Sequence, residues 1–202
     1  MNSADINPSV FKSQNFGNIN YIFSYQNIAE KYFPFFGMDI FLNSGWKTSL
    51  SDAKRNFFSV NGNLNLDHRI DKNGRFILAN STDFNWINNN NFEFYQAASI
   101  GGDRNLRGYK NFRFSGKSAI ANSTDIRWNF GKLANKIVPA DWGIFTGYDI
   151  GRVWNDGENS RKWHQSYGGG IWLGLVESFS ARAQYFYGSD GGRISAGIGL
   201  GF

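Results

Sequence analysis

His164 lies with Asp156 and Glu158 in the polar stretch Asn155 to Ser166, the residue types of acid–base or hydrolytic chemistry. A Ser/His/Asp set is defined by geometry rather than by proximity in the chain. No Gly-x-Ser-x-Gly, His-Glu-x-x-His or phosphate-loop pattern accompanies these residues. The chain has no Cys and only two His, His68 and His164, which excludes cysteine metal sites and disulfides and disfavours a histidine-rich one. The run Gly168-Gly169-Gly170 lacks dinucleotide-binding spacing and suits close packing inside a strand. Asn80-Ser81-Thr82 and Asn122-Ser123-Thr124 match the glycosylation sequon, but both fall in predicted strands and are discounted. The sequence therefore predicts no catalytic residue, no cofactor and no metal. More informative is Ile100-Gly101-Gly102-Asp103-Arg104-Asn105-Leu106-Arg107-Gly108-Tyr109. Paired glycines permit backbone angles closed to other residues. An arginine between Leu106 and Gly108-Tyr109 reads either as a buried contact or as an exposed residue on an external loop.

What would position such residues is an all-β frame. The 202 residues carry 18% aromatic side chains and 24 Gly, with only three Pro and a mean hydropathy of −0.43. A spanning helix needs roughly 20 mostly apolar residues, and the longest such run here is Tyr167 to Val176. The net charge of +5 is spread along the chain, a poor footprint for nucleic acid. No basic segment followed by an apolar one opens the sequence, so a complete secretory precursor is not expected.

The dominant period is two. Ile194, Ala196, Ile198, Leu200 and Phe202 share one parity, with Arg193, Ser195, Gly197, Gly199 and Gly201 on the other. The same alternation runs through 56–67, 141–155 and 179–188. Nine strands are predicted, near 18–26, 35–47, 56–67, 74–87, 117–130, 141–155, 167–176, 179–188 and 193–202. Globular strands average about five or six residues, whereas a tilted membrane strand needs about 9–11. One face is aromatic or aliphatic; the other is Gly, Ser, Asn and scattered charge. That is the apolar-out, polar-in pattern of a transmembrane β-barrel with aromatic girdles. Lipid offers backbone groups no hydrogen bonds, so strands cross it only in a closed sheet. A soluble sandwich or lipocalin-like barrel is the competing reading, opposed by strand length and by the Gly-rich second face.

Alternation fades between Ile87 and Lys117, and a loop of that length is usually functional. With its Gly101-Gly102 and Leu106-Arg107-Gly108-Tyr109, this segment resembles the signature loop of the BamA/TamA/FhaC-type outer-membrane barrels, the bacterial surface antigen superfamily. Five strands follow, and the second carries Asp149-x-Gly151-x-x-Trp154, similar to that superfamily's strand motif. Where relatives place an aromatic two residues before the Asp, this chain has Gly147. The terminal Ser195-x-Gly197-x-x-Leu200-x-Phe202 resembles the β-signal of outer-membrane proteins.

The resemblance implies a long loop, 88–116, tucked into the lumen, with Arg107 paired to Asp125 and Asp149 on the next two strands. It implies a bacterial outer-membrane location and a role in outer-membrane protein assembly or polypeptide translocation. Expected partners are membrane lipid, client polypeptides, the barrel assembly machinery and further barrel strands from an upstream segment or another chain. Nine strands are an odd number, and single-chain bacterial barrels have an even one. The chain is therefore expected to be the C-terminal part of a larger barrel, residues 18–202, preceded at 1–17 by a loop or strand end. Two other readings stand beside this one. Phe112-Arg113-Phe114-Ser115-Gly116-Lys117 and the stretch Trp154 to His164 look like barrels fused to calcineurin-like metallophosphatases, which would make the chain a membrane anchor. A passive pore is the third.

Overall fold

The computed structural model describes residues 15–28, 36–52, 55–90, 92–133, 140–157, 161–175 and 179–200. Its strands are β1 (Phe16–Ile28), β2 (Phe36–Ser49), β3 (Asn56–Arg69), β4 (Phe76–Ile87), β5 (Ala98–Ile100), β6 (Phe114–Gly116), β7 (Ser118–Lys132), β8 (Ala140–Trp154), β9 (His164–Leu175), β10 (Phe179–Gly188) and β11 (Gly191–Leu200). Nine of them form one sheet in the order β1-β2-β3-β4-β7-β8-β9-β10-β11, every neighbour antiparallel. The architecture is thus the expected nine-stranded meander. The sheet is open, with β1 and β11 as its edges.

Two details differ from the sequence reading. The segment between β4 and β7 is not wholly irregular: β5 and β6 pair as a small hairpin-like ladder of their own, and a single 3-10 turn spans Phe94–Gln96. His164 opens β9 instead of lying in the connector before it, because its backbone pairs with Gly151 across the sheet.

Register turns the sequence alternation into two faces. On the outer face Phe76 stacks on Trp128 at 5.2 Å, and Trp128, Phe130 and Trp142 form a chain of ring contacts. Phe130 shares the parity of Trp128 and is itself the extra residue of a bulge between Asn129 and Gly131. Large apolar side chains stay exposed along this face, Ile194 at 81% and Ile198 at 73% among them. In water such a surface would aggregate; in hydrocarbon it is the solvent-facing side.

The inner face, expected to be polar, is only partly so. β3 points Asn61, Asn63 and Asn65 inward, but Ile77, Phe145, Trp172 and Phe186 come together as a buried apolar cluster. A second cluster joins Ala98, Ile100, Leu106 and Tyr109 of the long segment to Ala119 and Ala121 of β7. For the second cluster the reason is the segment itself: it lies against β7 and β8 and removes that wall from water, so inner positions there can be apolar.

Candidate functional site: an arginine clasped on the inner wall

The turn that presents Arg107 is built locally. Gly101 and Gly102 have φ of 118° and 102°, in the region that an L side chain rarely adopts. Gly102 N–H donates to the Leu106 carbonyl at 3.1 Å, and Asn105 N–H to the Gly102 carbonyl at 3.3 Å. The Asn105 side chain ties this turn down, its Oδ1 accepting from Gly101 N–H at 2.9 Å and its amide donating to Asp83 at 3.2 Å. Ser123 of β7 donates to the Asn105 carbonyl at 2.7 Å. Leu106, fully buried, drives the next residue toward the wall.

Arg107 reaches two carboxylates at once. Its Nε donates to Asp149 Oδ1 at 3.0 Å and its Nη2 to the same oxygen at 2.5 Å. Nη2 and Nη1 donate to Asp125 Oδ1 and Oδ2 at 2.6 and 3.1 Å. The backbone N–H of Arg107 adds a bond to Asp149 Oδ2 at 2.8 Å. Exposure is 4% for the Arg107 side chain, 0% for Asp149 and 13% for Asp125. Burial alone would discourage the charge, yet the hydrogen bonds to Asp149 and Asp125 outweigh it and hold the guanidinium pKa above its ordinary value. Charge-assisted, partly bidentate bonds of this type fix geometry as well as charge. The Arg107 Cζ also lies 3.9 Å from the Phe186 ring centroid, a cation–π contact in a site shielded from water.

Gly147 explains how these groups fit. A Cβ there would stand 2.6 Å from Arg107 Nη2 and 3.0 Å from Phe186 Cζ. The room left by Gly147 is taken by the Arg107 guanidinium and by Phe186, arriving from β10. Gly108 is pressed as closely: its Cβ would meet Ser166 Cβ at 2.7 Å and Gly188 N at 2.8 Å. Tyr109 then closes the site, its hydroxyl donating to the Gln165 carbonyl at 3.0 Å and accepting from Ser189 N–H at 3.1 Å.

The other motif residues are placed as follows. Gly151 sits under the loop, its would-be Cβ 2.9 Å from Ile100. Trp154 ends β8 on the outer face, in edge contact with Trp163. Ser195 accepts from the Gln184 amide at 3.0 Å, Gly197 pairs with Arg182, and Leu200 closes β11. Phe202 lies outside the described residues. His164 and Asp156 are engaged separately. The imidazole stacks on Phe114 at 3.5 Å, while Asp156 accepts from Lys117 Nζ at 2.7 Å and from the Asn90 amide at 3.1 Å. Glu158 lies outside the described residues.

The hydrogen bonds and ion pairs of this site fasten the loop to the inner wall. Residues 14–175 match the sequence pattern of the haemolysin secretion/activation proteins ShlB/FhaC/HecB. The chain belongs to this family. Its fold is similar to that of BamA from Haemophilus ducreyi in a crystal structure lacking POTRA domains 1–3. The TM-score is 0.65 at 17% identity, over 90% of this chain and 42% of that one. The chain thus spans less than half the length of that protein. No curated protein matches it. As a member of the haemolysin secretion/activation family with a BamA-like fold, it is a bacterial outer-membrane β-barrel domain. The likeness to metallophosphatase-linked barrels is carried by neither match.

Sequence reasoning on this family member missed three contributors to the site. Ser166 accepts from Gly108 N–H at 3.2 Å and donates to Asp149 Oδ2 at 2.9 Å. Phe186 supplies the ring under Arg107. Arg193 of β11 donates to the Tyr109 carbonyl at 3.1 Å and pairs with Asp103 at 3.1 Å. Parity placed Phe186 and Arg193 inward and left Ser166 in a connector, and only the register brings all three beneath the loop.

Proposed function

We propose that this chain forms part of the wall of an outer-membrane barrel that passes or inserts polypeptides, and that the Arg107 loop is the element whose position sets whether the way is open. The observation that carries the reading is the clasp itself. A loop fixed inside by one guanidinium on two carboxylates has a defined seated state and can leave it only by breaking that set together. Client polypeptides and the barrel assembly machinery are the partners in this reading, with membrane lipid against the aromatic outer face and further strands completing the sheet beyond β1 and β11. Residues 18–202 act as the barrel portion, with 1–17 leading into it and 88–116 as the inserted loop.

The test holds the loop shut in the full-length protein. Cysteines replacing Arg113 and Asp190, whose side chains meet at 2.6 Å, are joined by a short thiol-cleavable cross-linker. Export or insertion of the client stops on cross-linking and returns after cleavage. Unchanged export in the cross-linked protein would sink the proposal. The anchor reading is separated by the upstream sequence of the full-length gene: POTRA-type repeats accompany a polypeptide conductor, an Asp/His/Asn phosphoesterase domain accompanies an anchor.

A further inference from the structure

The outer face carries an anomaly at mid-height. On β4, Phe76, Leu78, Phe84 and Trp86 face outward, and between them Asn80 and Thr82 do the same. On β7, Ile120 precedes and Ile126 and Trp128 follow Asn122 and Thr124 on that face. The two sequon-like triplets are hydrogen-bonded neighbours in opposite directions, Asn80 opposite Thr124 and Thr82 opposite Asn122. Two amides and two hydroxyls therefore sit in the middle of the band that meets hydrocarbon.

Their hydrogen bonds close on themselves. The Asn80 amide donates to Asn122 Oδ1 at 3.2 Å and to Thr124 Oγ1 at 2.7 Å. The Asn122 amide donates to Asn80 Oδ1 at 3.0 Å and to Thr82 Oγ1 at 2.8 Å. Thr82 donates to Asn80 Oδ1 at 3.3 Å, and Thr124 to Asn122 Oδ1 at 3.1 Å. Each of the six N–H and O–H hydrogens of the quartet has an acceptor within it. In lipid an unsatisfied polar group costs several kcal/mol, so the quartet is tolerable only as a complete set and only in this register.

Its place in the chain gives the set a purpose. A hairpin's register is fixed by its turn, and other neighbouring strands here, such as β3–β4 and β10–β11, follow one another through short connections. β4 and β7 do not: the whole loop-bearing segment, with β5 and β6, lies between them. No turn can set their alignment. We infer that the Asn80–Thr82–Asn122–Thr124 quartet is a membrane-facing register latch, which aligns β4 with β7 during insertion and keeps that seam shut when the Arg107 loop moves. A slip by two residues in one direction sets Asn80 against Ile126 and Asn122 against Phe84; in the other it sets Thr82 against Ile120 and Thr124 against Leu78, so either slip breaks the closed set. Opening of the sheet is thereby directed away from the seam beneath the loop.

The inference rests on the membrane setting, not on what the barrel conducts, so its test needs no client. Asn80→Leu alone strands partners of the deleted amide and lowers Tm in detergent or lipid by at least about 5 °C, on the usual few degrees per kcal/mol for a chain this size. The quadruple variant, with Leu for both Asn and Val for both Thr, inserts and regains most of that loss. Register is read by disulfide trapping of cysteine pairs. Leu78 with Ile126 and Phe84 with Ile120 report the native alignment; Leu78 with Trp128 and Phe84 with Ser118 report the two slips. The unmodified quartet traps only native pairs, and the quadruple variant traps slipped pairs as well. The latch is refuted if Asn80→Leu is no less stable than the quadruple variant. It is equally refuted if the quadruple variant fails to insert or stays wholly in native register.

Discussion

The inner surfaces of β3 and of β8–β10 belong to one sheet and obey one alternation, yet they have different interiors. β3 turns Asn61, Asn63 and Asn65 inward, where Asn63 donates to Asp83 at 2.7 Å and Asn65 to Asn63 at 2.6 Å. Asn63 and Asn65 border a cavity of about 660 Å³ lined also by Asp67 and Arg127 and, on its far side, by Asp103, Arg104 and Arg107 of the loop. β8–β10 turn in Phe145, Trp172 and Phe186, of which Phe186 lies under the Arg107 guanidinium that Asp149 holds. The strands do not cause the difference; the loop does. Where it lies on the wall, water is excluded, apolar side chains can pack and an ion pair is shielded. Where it does not, the wall stays a hydrated, amide-lined surface. A period-two pattern reports which residues face in, but not what they face.

The sharpest way to break the contrast is Arg107→Ala. It leaves Asp149 buried with its charge uncompensated, and removal of one partner from a buried pair costs about 3–5 kcal/mol. The covered wall then behaves like the uncovered one. The expected signs are a lower Tm and new tryptic cleavage at Arg104, Lys110 and Arg113, with partial recovery on adding Asp149→Asn. Unchanged melting together with an uncut loop would show that the ion pair does not hold it.

A matched pair of substitutions sharpens the comparison at smaller cost. Phe186→Ala removes a fully buried ring and the face on which Arg107 lies, and truncations of this kind cost about 3–5 kcal/mol when the site cannot collapse. With Ser166 and Asp149 still in place, a loss near the lower figure is expected. Asn63→Ala, on the polar wall that borders the cavity, is expected to change stability by no more than about 0.5 kcal/mol. Thermal melts of the two variants side by side decide it. Equal losses would mean that the walls do not differ as described.

How far the sequence disclosed this molecule follows the same division. Strand number, order and the two faces were readable, because lipid on one side imposes strict alternation over long strands. Asp149 could be placed inward from the parity of Trp142, Ile144 and Ile150. Ser166 and Phe186 could not be assigned to the site, since their role comes from the register of β9 and β10 with β8, to which alternation is blind. The apolar inner cluster was hidden for a related reason: Phe145 and Trp172 sit on the parity read as polar, and only the register brings them together with Ile77 and Phe186. His164 was misplaced by three residues of strand, its imidazole stacked on Phe114 where the sequence shows only a polar stretch.

The smallest expected effect concerns the loop's outer tethers. Asp190 accepts from Arg113 Nε at 2.6 Å, and that bond holds its carboxyl below the usual value. The bond from Lys117 does the same for Asp156. A carboxyl depressed in the folded state favours that state above its ordinary pKa, near 3.9, and the contribution disappears as pH falls through the lowered value. Both groups are solvent-exposed, so the tethers affect mobility at the loop's rim rather than global stability. A spin label at Lys110 is expected to keep constant mobility from pH 7 to 5 and to loosen only below about pH 4. The Asp190→Asn, Asp156→Asn double variant is expected to be loose at every pH while the Arg107 clasp stays seated. If the label instead loosens near pH 6, a group other than these carboxylates governs the rim, and the division between a clasped centre and a tethered edge must be redrawn.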